Sequence, residues 1–175
     1  TNPGEYYLSI LEELDNLLPP GGSISERFGW FQSGYVIPPD RLDAVFTRAI
    51  EECRERTLGQ VELPDGENFV LEYVTDQSWS GYNWYQGEYQ SLIQVNVDFP
   101  SSIDRAVDLA CHEGYPGHHT YNALLEQNLV NDRGWPEFSV YALFSPQSLI
   151  AEGSANFRIE MAFPGDERLA FERDV

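Results

Sequence analysis

No lysine occurs anywhere in this chain. Its ten basic residues are all arginine, set against 29 acidic ones, so the formal net charge is −19 at pH 7. A surface of that sign repels phosphate backbones and anionic lipid, which excludes nucleic acid and membrane as expected partners. Cysteine is nearly as scarce. Cys53 and Cys111 lie far apart and form no Cys-x-x-Cys knuckle, so no disulfide framework is predicted and a reducing, cytoplasmic compartment is favoured. No apolar run approaches the roughly 18 residues of a membrane helix, and no basic-then-apolar leader opens the chain. The sequence begins at Thr1 without methionine and stops at Val175 in an acidic, helix-like stretch. A segment of a longer protein is the expectation, with a signal sequence ahead of it left open.

What is present suffices for one core: 42% of the 175 residues are hydrophobic, 14% aromatic. A single domain over residues 1–175 is expected, with 1–60 as helical scaffold and 69–163 carrying a sheet and the chemistry. "GEYYLSILEELDNLL" spaces its apolar residues helically and stops at Pro19-Pro20-Gly21-Gly22. A second helix follows Asp40, with Leu42, Val45, Phe46, Ala49, Ile50 and Cys53 on one face and Gly59 as terminator. From Phe69 the runs "FVLEYV" and "SLIQVNVDF", separated by an aromatic segment, predict two or three antiparallel strands. A helix should start at Ser101-Ser102 and break at Tyr115 to Gly117, where Pro116 removes a donor. Further helices are predicted over 120–130 and from Ser145-Pro146 to Pro164. The fold class is mainly α (α+β), with a small antiparallel sheet ahead of the histidine-bearing helix.

All three histidines fall in "CHEGYPGHH", residues 111–119. His112-Glu113 opens like the HExxH zinc helix, in which two histidines four apart share one face and the glutamate takes a proton from the metal's water. Here His118 and His119 come six and seven positions later. On a straight helix His118 would lie about 240° round from His112, and His119 about 10 Å along the axis. Two nitrogens on one tetrahedral zinc must be only about 3.3 Å apart. A metal site therefore requires a broken helix, which Pro116-Gly117 supplies; this geometry leaves open whether His118 or His119 is the ligand. Glu152 in "LIAEGSANF" is the best third donor, a carboxylate among apolar and small residues, with Gly153 suggesting close packing beside it. Asn156 could hydrogen-bond a ligand histidine; Glu160 is expected at the surface.

"HEGYPGHH" followed by "AEGSANFRIE" resembles the bacterial family called domain of unknown function 885, whose members carry His-Glu-x-x-Pro-Gly-His-His and a later Glu-Gly-x-Ala. The strand segment "YNWYQGEYQSLIQVNVDFP" is similar as well, so the resemblance spans roughly residues 69–163. Ser154 and Asn156 depart from it, standing where members have a tryptophan and an aliphatic residue. That family is similar to the helical zinc peptidases of the gluzincin group. The resemblance implies a helical metallopeptidase-like fold and one zinc ion at His112, His118 and Glu152, with Glu113 as general base. It also favours His118 over His119, because "GHHTY" is similar to the Gly-His-x-x-Tyr of helical carboxypeptidases with two residues inserted ahead of the glycine.

The expected function is thus zinc-dependent hydrolysis of a peptide or small amide. Tyr115, Tyr121 and Tyr141 are candidate donors to a developing oxyanion by sequence proximity. Asn83 and Asn96 are candidate substrate contacts, and Trp79, Tyr82, Trp84 and Tyr85 could line pockets, although most of these rings are expected in the core. Two rivals stand beside this reading: a non-catalytic metal-binding or scaffold protein, and a non-haem iron enzyme with two histidines and a carboxylate. Oligomeric state leaves no mark in the sequence.

Overall fold

The computed structural model describes residues 3–175. The chain divides after Val36 into two units. In the first, α1 (Pro3–Leu17) ends where Pro19-Pro20-Gly21-Gly22 was expected to stop it, and Arg27 pairs with Asp15. Its second helix, α2 (Ile24–Ser33), was not anticipated. It starts at a capping box in which the Ser23 hydroxyl accepts from the Glu26 amide and the Glu26 carboxylate accepts from the Ser23 amide.

The second unit, residues 37–175, is built on α3 (Leu42–Leu58). Val45, Phe46, Ala49, Ile50 and Cys53 of the anticipated face are buried. Against it packs α4 (Ile103–Leu109), which begins after Ser102 as expected and widens at its end into a π-helical turn, Ala110–Gly114. The helix resumes as α5 (His118–Leu125), followed by a second π turn, Glu126–Asn131. Then come α6 (Pro146–Ala162), with Pro146 at its first turn, and α7 (Glu167–Asp174). One cluster of buried side chains joins Ile50 of α3, Val107 of α4, Tyr115 and Ile159 of α6. Another joins Phe46 and Leu109 to Val95 of the sheet. No helix among the described residues is long and apolar enough to cross a membrane.

The sheet is mixed, which corrects the antiparallel expectation. Its order is β1–β3–β2, with β1 (Asn68–Val74) parallel to β3 (Gln90–Asn96) and β2 (Gly81–Gly87) antiparallel to it. β2 and β3 form a tight hairpin, so β1 takes the remaining edge of β3 and runs alongside it, Val70 opposite Leu92. The buried side chains of Ser91, Ile93 and Val95 mark β3 as the central strand.

The cysteines also correct the sequence reading. Cys53 of α3 and Cys111 of the π turn are joined by a disulfide across 58 residues, with Cα atoms 5.7 Å apart. The α3–α4 packing brings them together, and the ground for expecting a reducing compartment falls away.

Candidate metal centre

The bend between His112 and His118 is made by steric necessity. Tyr115 turns extended at φ −121°, the Tyr115–Pro116 bond is cis, and the Gly117 amide donates back to the Cys111 carbonyl at 2.9 Å. Gly117 has φ −74°, so left-handed freedom is not what the position needs. A Cβ there would lie 1.9 Å from the His112 carbonyl oxygen and 2.3 Å from that of Cys111. Only a residue without a side chain lets the chain fold back onto its own helix end.

This fold-back puts His118 Nε2 3.2 Å from His112 Nε2, with the two rings nearly perpendicular at 82°. Glu152 on α6 straddles the pair: Oε2 lies 3.3 Å from His112 Nε2 and Oε1 3.3 Å from His118 Nε2. One donor atom from each residue lies within 4.8 Å of the other two, a group that could hold a metal ion. Nitrogen lone pairs and carboxylate oxygens facing one another at these distances repel unless a proton or a cation lies between them. Burial, aided by the charge of His112, pushes the His118 imidazolium towards deprotonation, and neutral imidazole is the ligating form.

The surroundings of Glu152 differ from those inferred. Its side chain is 54% exposed, Leu149 and Ile150 face solvent, and a Cβ on Gly153 would meet nothing within 4 Å. The carboxylate stands at the rim of an open cleft, so a desolvation cost does not explain it. The small buried residues Ala151 and Ala155 form the inner side of α6.

That cleft, about 460 Å³, is lined by Tyr82, Asn83, Trp84 and Tyr85 of β2 and by Tyr141 and Leu143. Three of the four aromatic residues whose rings were expected mostly in the core, Tyr82, Trp84 and Tyr85, thus contribute to the lining, and Trp79 does not. His112, Glu113, His118, Asn122 and Glu152 form the remainder of its lining. Glu113 is buried to 6% exposure. Burial, together with the negative charge of Glu152, raises its pKa to about 8. Gly81 packs beside it and makes room for Leu109: a Cβ there would stand 2.7 Å from Leu109 Cδ2, and in ordinary contact at 3.5 Å from Glu113 Oε1. Asn83 donates to the Glu113 carbonyl at 2.7 Å, and its Oδ1 is buried with no protein partner.

Several anticipated residues lie elsewhere. His119, the alternative ligand, is fully buried, with Nδ1 on Ser91 Oγ at 2.7 Å and Nε2 on Glu67 Oε2 at 2.9 Å, both nitrogens being occupied away from the metal group. Tyr115 is equally buried and donates its hydroxyl to Glu67, so it is no oxyanion donor. Tyr121 stands beside Arg158, outside the cleft wall, leaving Tyr141 as the expected donor that lines it. Asn156 is exposed and donates to the backbone oxygen of Glu152, one helical turn back, rather than to a histidine. Asn96 is a loop staple: its amide donates to Gln77 and Trp79 carbonyls and its oxygen accepts from the Asp98 amide. Sequence reasoning missed Glu67, Arg54, Ser91 and Arg158, whose partners lie far along the chain. Comparison of the chain with protein-family models, curated proteins and solved structures finds no match to any of them.

Proposed function

We propose that the protein is a zinc-dependent hydrolase of peptide or related amide bonds, akin to the domain of unknown function 885 family and the helical metallopeptidases it resembles. The observation that carries this reading is the 3.2 Å between the facing Nε2 atoms of His112 and His118, with Glu152 at 3.3 Å from each. Two nitrogens on a tetrahedral zinc are about 3.3 Å apart, and two histidines with one glutamate are a donor set of catalytic zinc sites. Zinc bound there would polarise a carbonyl oxygen and lower the pKa of its water to about 7.

The chain's own residues supply the rest. Glu113, which lines the cleft beside His112, His118 and Glu152, would take a proton from that water and return it to the leaving amine. The outer edge of β2 borders the cleft along the strand, where an extended peptide can pair through main-chain hydrogen bonds. The half-exposed Glu152 and the open cleft favour an accessible site over a closed structural one. Glu113 beside the donor set favours hydrolysis over an iron oxygenase, which needs no general base there.

The decisive experiment compares metal content and peptide hydrolysis in the wild type, Glu113→Gln and His112→Ala. Glu113→Gln keeps the metal and loses at least about 100-fold in turnover, whereas His112→Ala loses the metal. Unchanged turnover in Glu113→Gln would overturn the proposal.

A further inference from the structure

Behind the metal group lies a buried polar cluster that the proposed reaction does not use. Its centre is Glu67, whose side chain is 3% exposed. Arg54 of α3 donates to Oε1 through Nε at 3.0 Å and Nη2 at 2.6 Å, while His119 Nε2, at 2.9 Å, and the Tyr115 hydroxyl converge on Oε2. Four donors fill the four acceptor positions of an ionised carboxylate. Because such a carboxylate carries no proton, His119 must hold one on Nε2; in the neutral ring Nδ1 then accepts from the Ser91 hydroxyl at 2.7 Å.

A serine, a histidine and a glutamate in this order resemble a nucleophilic relay. Ser91 and His119 are sealed from solvent, and both ring nitrogens are already engaged, so no substrate can reach them. The cluster's connections point instead to the bend. Tyr115 and His119 flank Pro116 and Gly117, and the Pro116 carbonyl accepts from Arg158 Nη1 at 2.8 Å. Arg158 lies on α6, six residues beyond Glu152. The neighbours of both histidine ligands are tied to consecutive residues of α3: Cys111 to Cys53 through the disulfide, and His119 to Arg54 through Glu67.

We infer that Glu67 and Arg158 are positioning residues of the metal centre, holding residues 115–119 through separate contacts so that His118 stays aimed at His112 and α6 carries Glu152 to both. The inference rests on the metal-centre reading above. Apolar packing can hold a turn in place within its slack. A carboxylate with four fixed donors, and a guanidinium on a single carbonyl, set the direction of the backbone that leads to each ligand.

The test is metal affinity in the full chain, measured by chelator competition for Zn²⁺ and by the visible absorption of the Co²⁺-loaded protein. The temperature is chosen so that circular dichroism shows every variant folded. Glu67→Gln and Arg158→Met should each weaken binding by about 10-fold to 100-fold, the cost of losing an outer-shell partner, and should shift the Co²⁺ bands. Val45→Ala, a core truncation on α3, should lower the melting temperature and leave affinity and bands unchanged. Should Glu67→Gln fail to fold, Arg158→Met decides alone, since it removes one hydrogen bond from a half-buried side chain. Variants that melt earlier but bind both metals as the wild type does overturn this inference and leave the metal-centre reading standing. A wild type that binds neither metal overturns both.

Discussion

Residues 117 and 153 are both glycines next to a candidate ligand, and the space around them is opposite. A Cβ at 117 would sit 1.9 Å from the His112 carbonyl oxygen, inside any contact distance, whereas a Cβ at 153 would meet nothing within 4 Å. Alanine at 117 must therefore push the bend open and move His118 away from His112. Alanine at 153 merely removes the entropy cost of glycine in a helix, a gain of about 1 kcal/mol. Gly117→Ala should lose metal affinity by at least about 10-fold and melt earlier. Gly153→Ala should melt later with affinity unchanged. Isothermal titration with Zn²⁺ and thermal melts of the two variants check both outcomes, and equal affinities would contradict the steric account of the bend.

At the scale of elements, the helices were legible because their signals are local. The apolar stripe from Val45 to Cys53 gave α3, Ser145-Pro146 gave the start of α6, and Pro116 gave the break. The capping box of α2 was equally local, with Ser23 and Glu26 in the expected spacing, and went unread. Among the site residues, His112, Glu113, His118 and Glu152 stood out through residue type and spacing. Glu67 could not, since its partners lie 13, 48 and 52 positions away and nothing in "DGENF" announces them. Strand order failed for the same reason, as β1 alone does not reveal which edge of β3 it will take. Glu67 also sets an acid limit. Burial by itself would raise its pKa, but hydrogen bonds from His119, Tyr115 and Arg54 and the charge of Arg54 outweigh burial and hold it at about 2. Its folded pKa is thus below its unfolded value of 4.5, so the stability it contributes is complete above pH 4.5 and is lost as pH falls towards 2. The loss is on the order of 3 kcal/mol. Urea denaturation of the wild type between pH 7 and pH 2.5 should show this decline. Glu67→Gln should start less stable at pH 7 and decline less; parallel curves would remove Glu67 as the cause.

For the whole molecule, the disulfide connects the scaffold to the chemistry. Cys53 lies in the middle of α3, Cys111 is the residue before His112, and the bond closes a loop of 58 residues that contains the entire sheet. Closing a loop of that length removes unfolded-state entropy worth about 4 kcal/mol in the chain-entropy account. Against the 5–15 kcal/mol that typical domains have in total, this is a large share. Both sulfurs are buried in the core shared with Ile50, Val107 and Ile159, so a reductant reaches them only when the chain opens. The double variant Cys53→Ala/Cys111→Ala should unfold at lower urea concentration, by up to about 4 kcal/mol. Wild-type protein held with reductant in native buffer should keep its original transition until unfolding exposes the bond. A double variant that unfolds at the wild-type midpoint would show that α3 and the π turn are held together by packing alone.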